Sequence, residues 1–239
     1  SMSGHSKWAK IKRGKAASDA KRGAVFTKLG NAIAVAAKTG GNPDMNPTLA
    51  LAIAKAKEAN MPNANIERSI KRGTGELGGA AIEEMVYGSY GPAGIAVVVE
   101  CASDNRNRTS ADVRTAFNKN GGNMAEAGAV AFQFDHKGVI QVAKTGNDDD
   151  DQLSLIDAGA EDVFDEDDQW AVHTQAKKLN EVKKAIEATD LNVVDAVLAY
   201  VPKATISITD EASQIKVMKL MDVLDELDEK DKTYSNFEL

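Results

Sequence analysis

Lys7, Lys10, Lys12, Arg13, Lys15, Lys21, Arg22 and Lys28 place eight cations in the first 28 residues, where Asp19 is the sole acid. Side chains of this type at this density do one kind of chemistry well: they neutralise phosphates and release the counterions condensed on a polyanion. Trp8 stands among them, placed either to stack on an unpaired base, worth about 1–3 kcal/mol, or to pack onto Ile11 and a helical core. Gly4, Gly14 and Gly23 let such an arm follow an irregular phosphate path. A second group, Arg68, Lys71 and Arg72, has the i, i+3, i+4 spacing of one helix face.

No motif assembles an enzyme. His5, His136 and His173 are scattered, and no H-E-x-x-H, G-x-S-x-G or supported Cys–His arrangement occurs. Cys101 is the one cysteine, which excludes an intrachain disulfide and a multi-cysteine metal cluster. Within the apolar run GIAVVVECA it reads as a buried structural thiol. The aspartates at 148–151 and 165–168 lack the spacing of a calcium loop and read as solvated loops. The glycines between 73 and 79 close a helix instead of following a strand, so they read as a hinge and not a phosphate loop. The expectation is a chain that is no enzyme and carries no metal, no cofactor and no small-molecule substrate.

The charge is divided along the chain. Residues 1–75 hold 14 Lys/Arg and 4 Asp/Glu, a net of +10, whereas residues 76–239 hold 15 and 32, a net of −17. The overall −7 hides this division. Such asymmetry speaks of partners more than of fold: the basic end meets phosphate while the acidic remainder is held away from it or faces proteins. No apolar stretch reaches 18 residues, so no membrane span is expected. The basic start runs to Lys28 and contains Asp19, which does not fit a secretion signal, and a cytoplasmic location is expected.

The elements that must carry these residues follow from periodicity. Phe26, Leu29, Ile33 and Ala37 recur at helical spacing until Gly40-Gly41. Asn46-Pro47 starts a second helix that stops at Met61-Pro62, and a third begins near Asn63, uses Ile66 and Ile70, and ends at Gly73. VYGSYGP and GIAVVVECA read as strands about a Gly91-Pro92 turn, and Thr109 with Asp112 as the start of a helix carrying Val113, Ala116 and Phe117. AVAFQF and GVIQVA look like a hairpin joined across residues 135–138. Then follow the helix DQLSLIDAG, the strand QWAVHT, a helix over residues 176–188, the strand VVDAVLAYVP and a long helix capped by Thr209-Asp210. TYSNFEL reads as a last strand. With aromatics only 5% of the chain, the cores should be packed from Ala, Val, Ile and Leu. This order suggests small α+β sandwiches behind a helical start, not a doubly wound sheet.

The stretches GHSKWAKIK, DAKRGAVFTKL, NMPNANIERSIKRGTG, YGPAG, ECASDNRNRT and AGAVAFQF resemble the YebC family, which includes PmpR-type regulators and a mitochondrial translational activator. The resemblance implies an α+β multidomain fold: a helical domain over residues 1–75, a middle α+β domain over 76–130 plus 205–239, and a third α+β domain, 131–204, inserted into it. It also implies a partner. Some family members are DNA-binding transcriptional regulators; others act on the ribosome, binding ribosomal RNA and relieving stalls. Within DNRNRT, Arg106 and Arg108 belong either to a helix-start loop or to a second nucleic-acid contact. The family tends to carry a lysine at the position of Ala24 and more charge at Gly30-Asn31, which implies fewer phosphate contacts here.

Overall fold

A computed structural model describes residues 19–239 and comprises a helical unit followed by two antiparallel sheets, each covered by helices. The helical unit is α1 (Asp19–Ala37), α2 (Pro47–Glu58) and α3 (Asn63–Thr74). Ile33, Leu49, Ala56, Met61 and Ile66 form its core, with Phe26, Leu29 and Ile70 at the margin. Asn46 organises the α1–α2 corner: its Oδ1 accepts from Leu49 N, while Nδ2 donates to Ala36 O at 2.8 Å and Gly40 O at 2.9 Å. One side chain thereby satisfies the start of one helix and the end of another.

Gly73 departs from expectation. It lies inside α3, and the terminating residue is Gly75, in left-handed conformation at φ 87°. A Cβ built on Gly73 would sit 2.1 Å from Ala34 O and 2.8 Å from Ala37 Cβ. Its absence is what lets α3 lie against α1.

The first sheet has the order β3-β1-β2-β9, from β1 (Glu83–Tyr90), β2 (Ala96–Ser103), β3 (Asn123–Ala125) and β9 (Lys230–Ser235). One face carries Val97, Val99 and Cys101 against α4 (Arg106–Lys119) and α8 (Glu211–Asp225), through Phe117, Val217, Leu220 and Leu224. Cys101 is buried, and burial pushes its thiol up to about 12, so it is the inert structural thiol expected. Helix α4 starts earlier than the Thr109–Asp112 signal indicates: Asn105 is the cap, accepting from Arg108 N, and Thr109 is fully buried inside the helix. At the other end, Asp210 caps α8 by accepting from Ser213 N.

The second sheet has the order β5-β6-β4-β7, from β4 (Phe134–Ala143), β5 (Asp162–Glu166), β6 (Gln169–Gln175) and β7 (Val193–Pro202). Ile140, Val142, Trp170 and Val172 pack beneath α6 (Asp148–Asp157) and α7 (Leu179–Glu187). Its other face meets the first sheet through Phe134, Val139, Ala199, Val98 and Tyr234. The short strands β8 (Ile206–Ser207) and β10 (Phe237–Glu238) pair in parallel beside α8. Among the described residues no helix is long and apolar enough to cross a membrane.

Three local expectations are corrected. The hairpin across residues 135–138 does not form: Ala127–Ala131 is a short helix, α5, and β4 runs unbroken along β7, with Phe134 opposite Pro202. Gly88 on β1 makes room for that helix, since a Cβ there would lie 2.8 Å from Val130 Cβ. His136 accordingly sits within β4, stacked on Tyr200 at 4.8 Å, and not in a turn. The aspartates at 148–151 are not a loop but the first turn of α6, capped by Asn147 and favoured there by the helix dipole. Asp151 is buried and accepts from Thr145 N, Thr145 Oγ1 and Trp170 Nε1. Burial alone would raise its pKa, but those hydrogen bonds and Lys144 hold it below the ordinary value. Asp165 lies within β5, opposite Trp170, and Asp167, at φ 66°, turns the chain into β6.

On β2, alternate residues face different neighbours. Val98 meets the second sheet, Ala102 meets Ala34 and Ile82 beside the helical unit, and Glu100 lies between them, opposite Lys232. Burial is the largest influence on Glu100; Lys232 opposes it, Asp231 and Glu84 reinforce it, and the carboxyl is pushed up to about 7. Because the native pKa lies above the ordinary carboxyl value of 4.5, the folded state binds the proton more tightly than the unfolded one. The stability this confers is complete below pH 4.5 and lost as pH rises through about 7. In chemical denaturation Glu100→Gln should therefore flatten the fall in stability across that window and leave the variant the more stable protein above it. Parallel curves for the two proteins would refute this.

Candidate nucleic-acid interface

The cations singled out by sequence fall into three groups. Lys7, Trp8, Lys10, Lys12, Arg13 and Lys15 lie outside the described residues. Lys21 and Arg22 belong to the first turns of α1, which continues to Lys28. Lys28 donates through Nζ to Asp225 O at the end of α8.

The α3 group divides. Arg68 and Lys71 are exposed, as a phosphate-binding face requires. Arg72 turns inward: its Nη1 donates to Asn31 Oδ1 on α1 at 2.7 Å, and its Nη2 stands 3.9 Å from Asp104 Oδ2. Glycine at position 30 permits this packing, since a Cβ there would lie 3.0 Å from Ser69 Oγ. The departure at Gly30-Asn31 thus builds a neutral acceptor for Arg72.

Arg106 and Arg108 both carry ion pairs. Arg106 Nη2 is 3.2 Å from Glu83 Oε2 on β1. Arg108 Nε is 3.3 Å from Glu229 Oε1, and its Nη2 is 4.0 Å from Asp104 Oδ1. The Arg106–Glu83 and Arg108–Asp104 pairs are exposed on both sides, and such pairs contribute about 0–1 kcal/mol and exchange readily for a better anion. The structure brings Arg72 and Arg108 to opposite sides of Asp104, in a cleft of ≈540 Å³ between α1, α3, the end of β2 and the start of α4. Asp112 and Asp228 also line it. Spacing along the chain revealed neither Asn31, Asp104 nor Glu229 as partners; the only local hint was the acid in front of NRNR.

Further contacts seat the helical unit on the sheets. Lys38 Nζ donates to Ile82 O at 2.7 Å, and Lys55 Nζ reaches Asp195 Oδ1 on β7 at 2.7 Å. Both cations are thereby drawn into internal contacts. His173 is buried in the second sheet: burial, then Lys137, lowers its pKa against the opposing pull of Asp162 and Glu161, and its ring packs on Phe164 at 4.6 Å. Among the described residues no group of three or more His, Cys, Asp or Glu is arranged to hold a metal ion.

A helical unit set on two helix-covered antiparallel sheets, with exposed cations on α3, defines the class: a multidomain α+β protein with a helical amino-terminal part. The chain belongs to the TACO1/YebC family: residues 6–76 match the model of the TACO1/YebC protein N-terminal domain, and residues 82–237 that of the TACO1/YebC second and third domain. It is 49% identical over 241 residues to a "Probable transcriptional regulatory protein" of Persephonella marina, covering all of this chain and 96% of that protein. A protein of the same description from Halothermothrix orenii is 48% identical over 242 residues, with the same coverage. Among solved structures, the conserved hypothetical protein Aq1575 from Aquifex aeolicus superposes with a TM-score of 0.84 at 42% identity, covering 92% of this chain and 91% of that one.

Proposed function

We propose that this chain is a non-enzymatic, cytoplasmic regulator of gene expression that grips nucleic acid with its basic amino-terminal third. The observation that carries this reading is the division of charge, +10 over residues 1–75 and −17 beyond. Lys7, Lys10, Lys12, Arg13, Lys15, Lys21 and Arg22 supply phosphate contacts, Trp8 a stacking surface, and Arg68 and Lys71 extend the track along α3. The names of the Persephonella and Halothermothrix relatives favour DNA as the partner and transcription as the process. In this reading residues 131–204 form an inserted domain within a middle domain of 76–130 plus 205–239, and both hang outward from the nucleic acid.

A second reading takes ribosomal RNA as the target. It is favoured by the inward turn of Arg72, which leaves α3 presenting Arg68 and Lys71 as two outward cations, enough for phosphate contacts. Phosphate contacts position a protein without reading sequence, and dense RNA phosphate satisfies them as well as duplex DNA does. Binding to a cognate promoter, to random duplex and to ribosomal particles, measured at one salt concentration, separates the readings. A promoter preference above about threefold over random duplex, roughly 0.7 kcal/mol, supports transcription. A smaller preference with tighter binding to ribosomal particles supports the second reading and removes the first.

A further inference from the structure

We propose that the cleft between the helical unit and α4 binds a single backbone phosphate of nucleic acid through Arg72 and Arg108, and that Asp104 occupies the phosphate's place until the strand arrives. The inference rests on the nucleic-acid reading above and adds to it a defined contact outside the basic arm.

Each guanidinium is anchored by one nitrogen and offers another. Arg72 is fixed through Nη1 by Asn31 at 2.7 Å, and Arg108 through Nε by Glu229 at 3.3 Å. Both anchors are well covered, Asn31 at 9% exposure and the Glu229 side chain at 13%, so the arginines are held before any ligand binds. Their free Nη2 atoms point to the two oxygens of Asp104, at 3.9 and 4.0 Å. Those distances exceed a hydrogen bond. Asp104, tethered to the backbone, meets neither fork at hydrogen-bond distance, whereas a phosphate with more acceptor oxygens can seat itself against both.

Exposure fits an exchange. Arg72 and Arg108 share the cleft with Asp104, Asp112, Asp228 and Glu229, a net of −2, so a phosphate can enter only as Asp104 leaves its place between the two forks. The Asp104 side chain is 45% exposed and needs only to swing into water. Thr27, across the cleft on α1, lines it too, with its hydroxyl donating to Gly23 O at 3.0 Å. The remaining carboxylates, Asp112 and Asp228, discourage a second phosphate, so the site takes one and no run.

Asp104→Asn keeps the shape and removes the resident charge. Each phosphate gained is worth a slope of about −0.9 in log affinity against log salt on duplex DNA. The variant should therefore bind a labelled random-sequence oligonucleotide about three- to eightfold more tightly at 0.1 M salt, with a correspondingly steeper dependence. Arg72→Gln introduced into the same variant should cancel the gain. Inorganic phosphate alone, followed by the NMR shift of the Arg108 Nε–H, should bind the variant at least tenfold more weakly than the oligonucleotide. Equal affinity would make this a free-phosphate site and overturn the strand assignment. Unchanged or weakened oligonucleotide binding in Asp104→Asn, or a gain that survives Arg72→Gln, overturns the proposal. Arg68→Gln with Lys71→Gln separates the two levels. If that pair loses affinity while Asp104→Asn changes nothing, the cleft inference fails and the nucleic-acid reading stands. If neither has an effect, the cleft inference and the α3 track fail together, while the reading beneath them is decided by neutralising Lys7 to Arg22.

Discussion

Replacing Lys7, Lys10, Lys12, Arg13, Lys15, Lys21 and Arg22 by glutamine should lower affinity for any nucleic acid by at least about a hundredfold at 0.1 M salt. The estimate follows from counterion release: each neutralised phosphate on a duplex contributes a slope of about −0.9, so at 0.1 M each contact is worth a factor of about 8. If six of the protein's cations in all engage phosphate, the intact protein should show a slope of about −5 on duplex DNA and about −4 on single strands. The neutralised protein should retain a slope near −1 to −2, from Arg68, Lys71 and the cleft. The substitutions spare the described cores, so a thermal melt should be unchanged. Undiminished binding to DNA, RNA and ribosomes would leave the charge division without the role assigned to it.

Gly73→Ala should cost the helical unit about 2–3 kcal/mol, the range for forcing atoms into a packed contact. On an isolated helix the change would gain about 1 kcal/mol. Here the new methyl meets Ala34 O at 2.1 Å and Ala37 Cβ at 2.8 Å, and backbone cannot step aside as a flexible side chain does. Helix α3 must move off α1, carrying Arg72 away from Asn31. Gly75→Ala is the internal contrast: nothing lies within 4 Å of its Cβ, and only the left-handed φ of 87° resists, at about 1–2 kcal/mol. Amide exchange across α1 to α3 would register the difference. A Gly73→Ala protein as stable as its parent would mean that the close approach of α1 and α3 is not what position 73 serves.

The legible parts of the sequence are those written in neighbouring residues. Asn46-Pro47 and Asp210 announce helix starts because cap and helix are adjacent, and the structure uses both. Where two capping residues compete, as with Asn105 and Thr109, burial decides, and burial is settled by α4 packing onto the sheet. AVAFQF reads as a strand from sequence and is helical through Ala131 in the structure for a related reason. A short apolar run suits a strand or a buried helix equally, and the choice fell to Gly88 on β1 and to β7, both remote in the chain. Position 73 shows the same limit: a glycine near a helix end resembles a terminator, and its contact with Ala34 emerges only in three dimensions. The interface follows the pattern. The exposure of Arg68 and Lys71 accords with helical spacing, but Arg72 finds Asn31 across 41 residues and shares Asp104 with Arg108. Periodicity along one helix carries no information about a neighbouring helix or loop.

Strand β2 lies inside its sheet, yet one of its flanking partners, β9, comes from much farther along the chain: Ser235 Oγ donates to Ala96 O across 139 residues. During synthesis the β-branched run Val97-Val98-Val99 must therefore wait with an open ladder while the whole second sheet is made. An unpaired apolar strand is a template for any other strand that reaches it first. The molecule is most prone to self-association as a nascent chain, and that hazard ends only when the last elements dock.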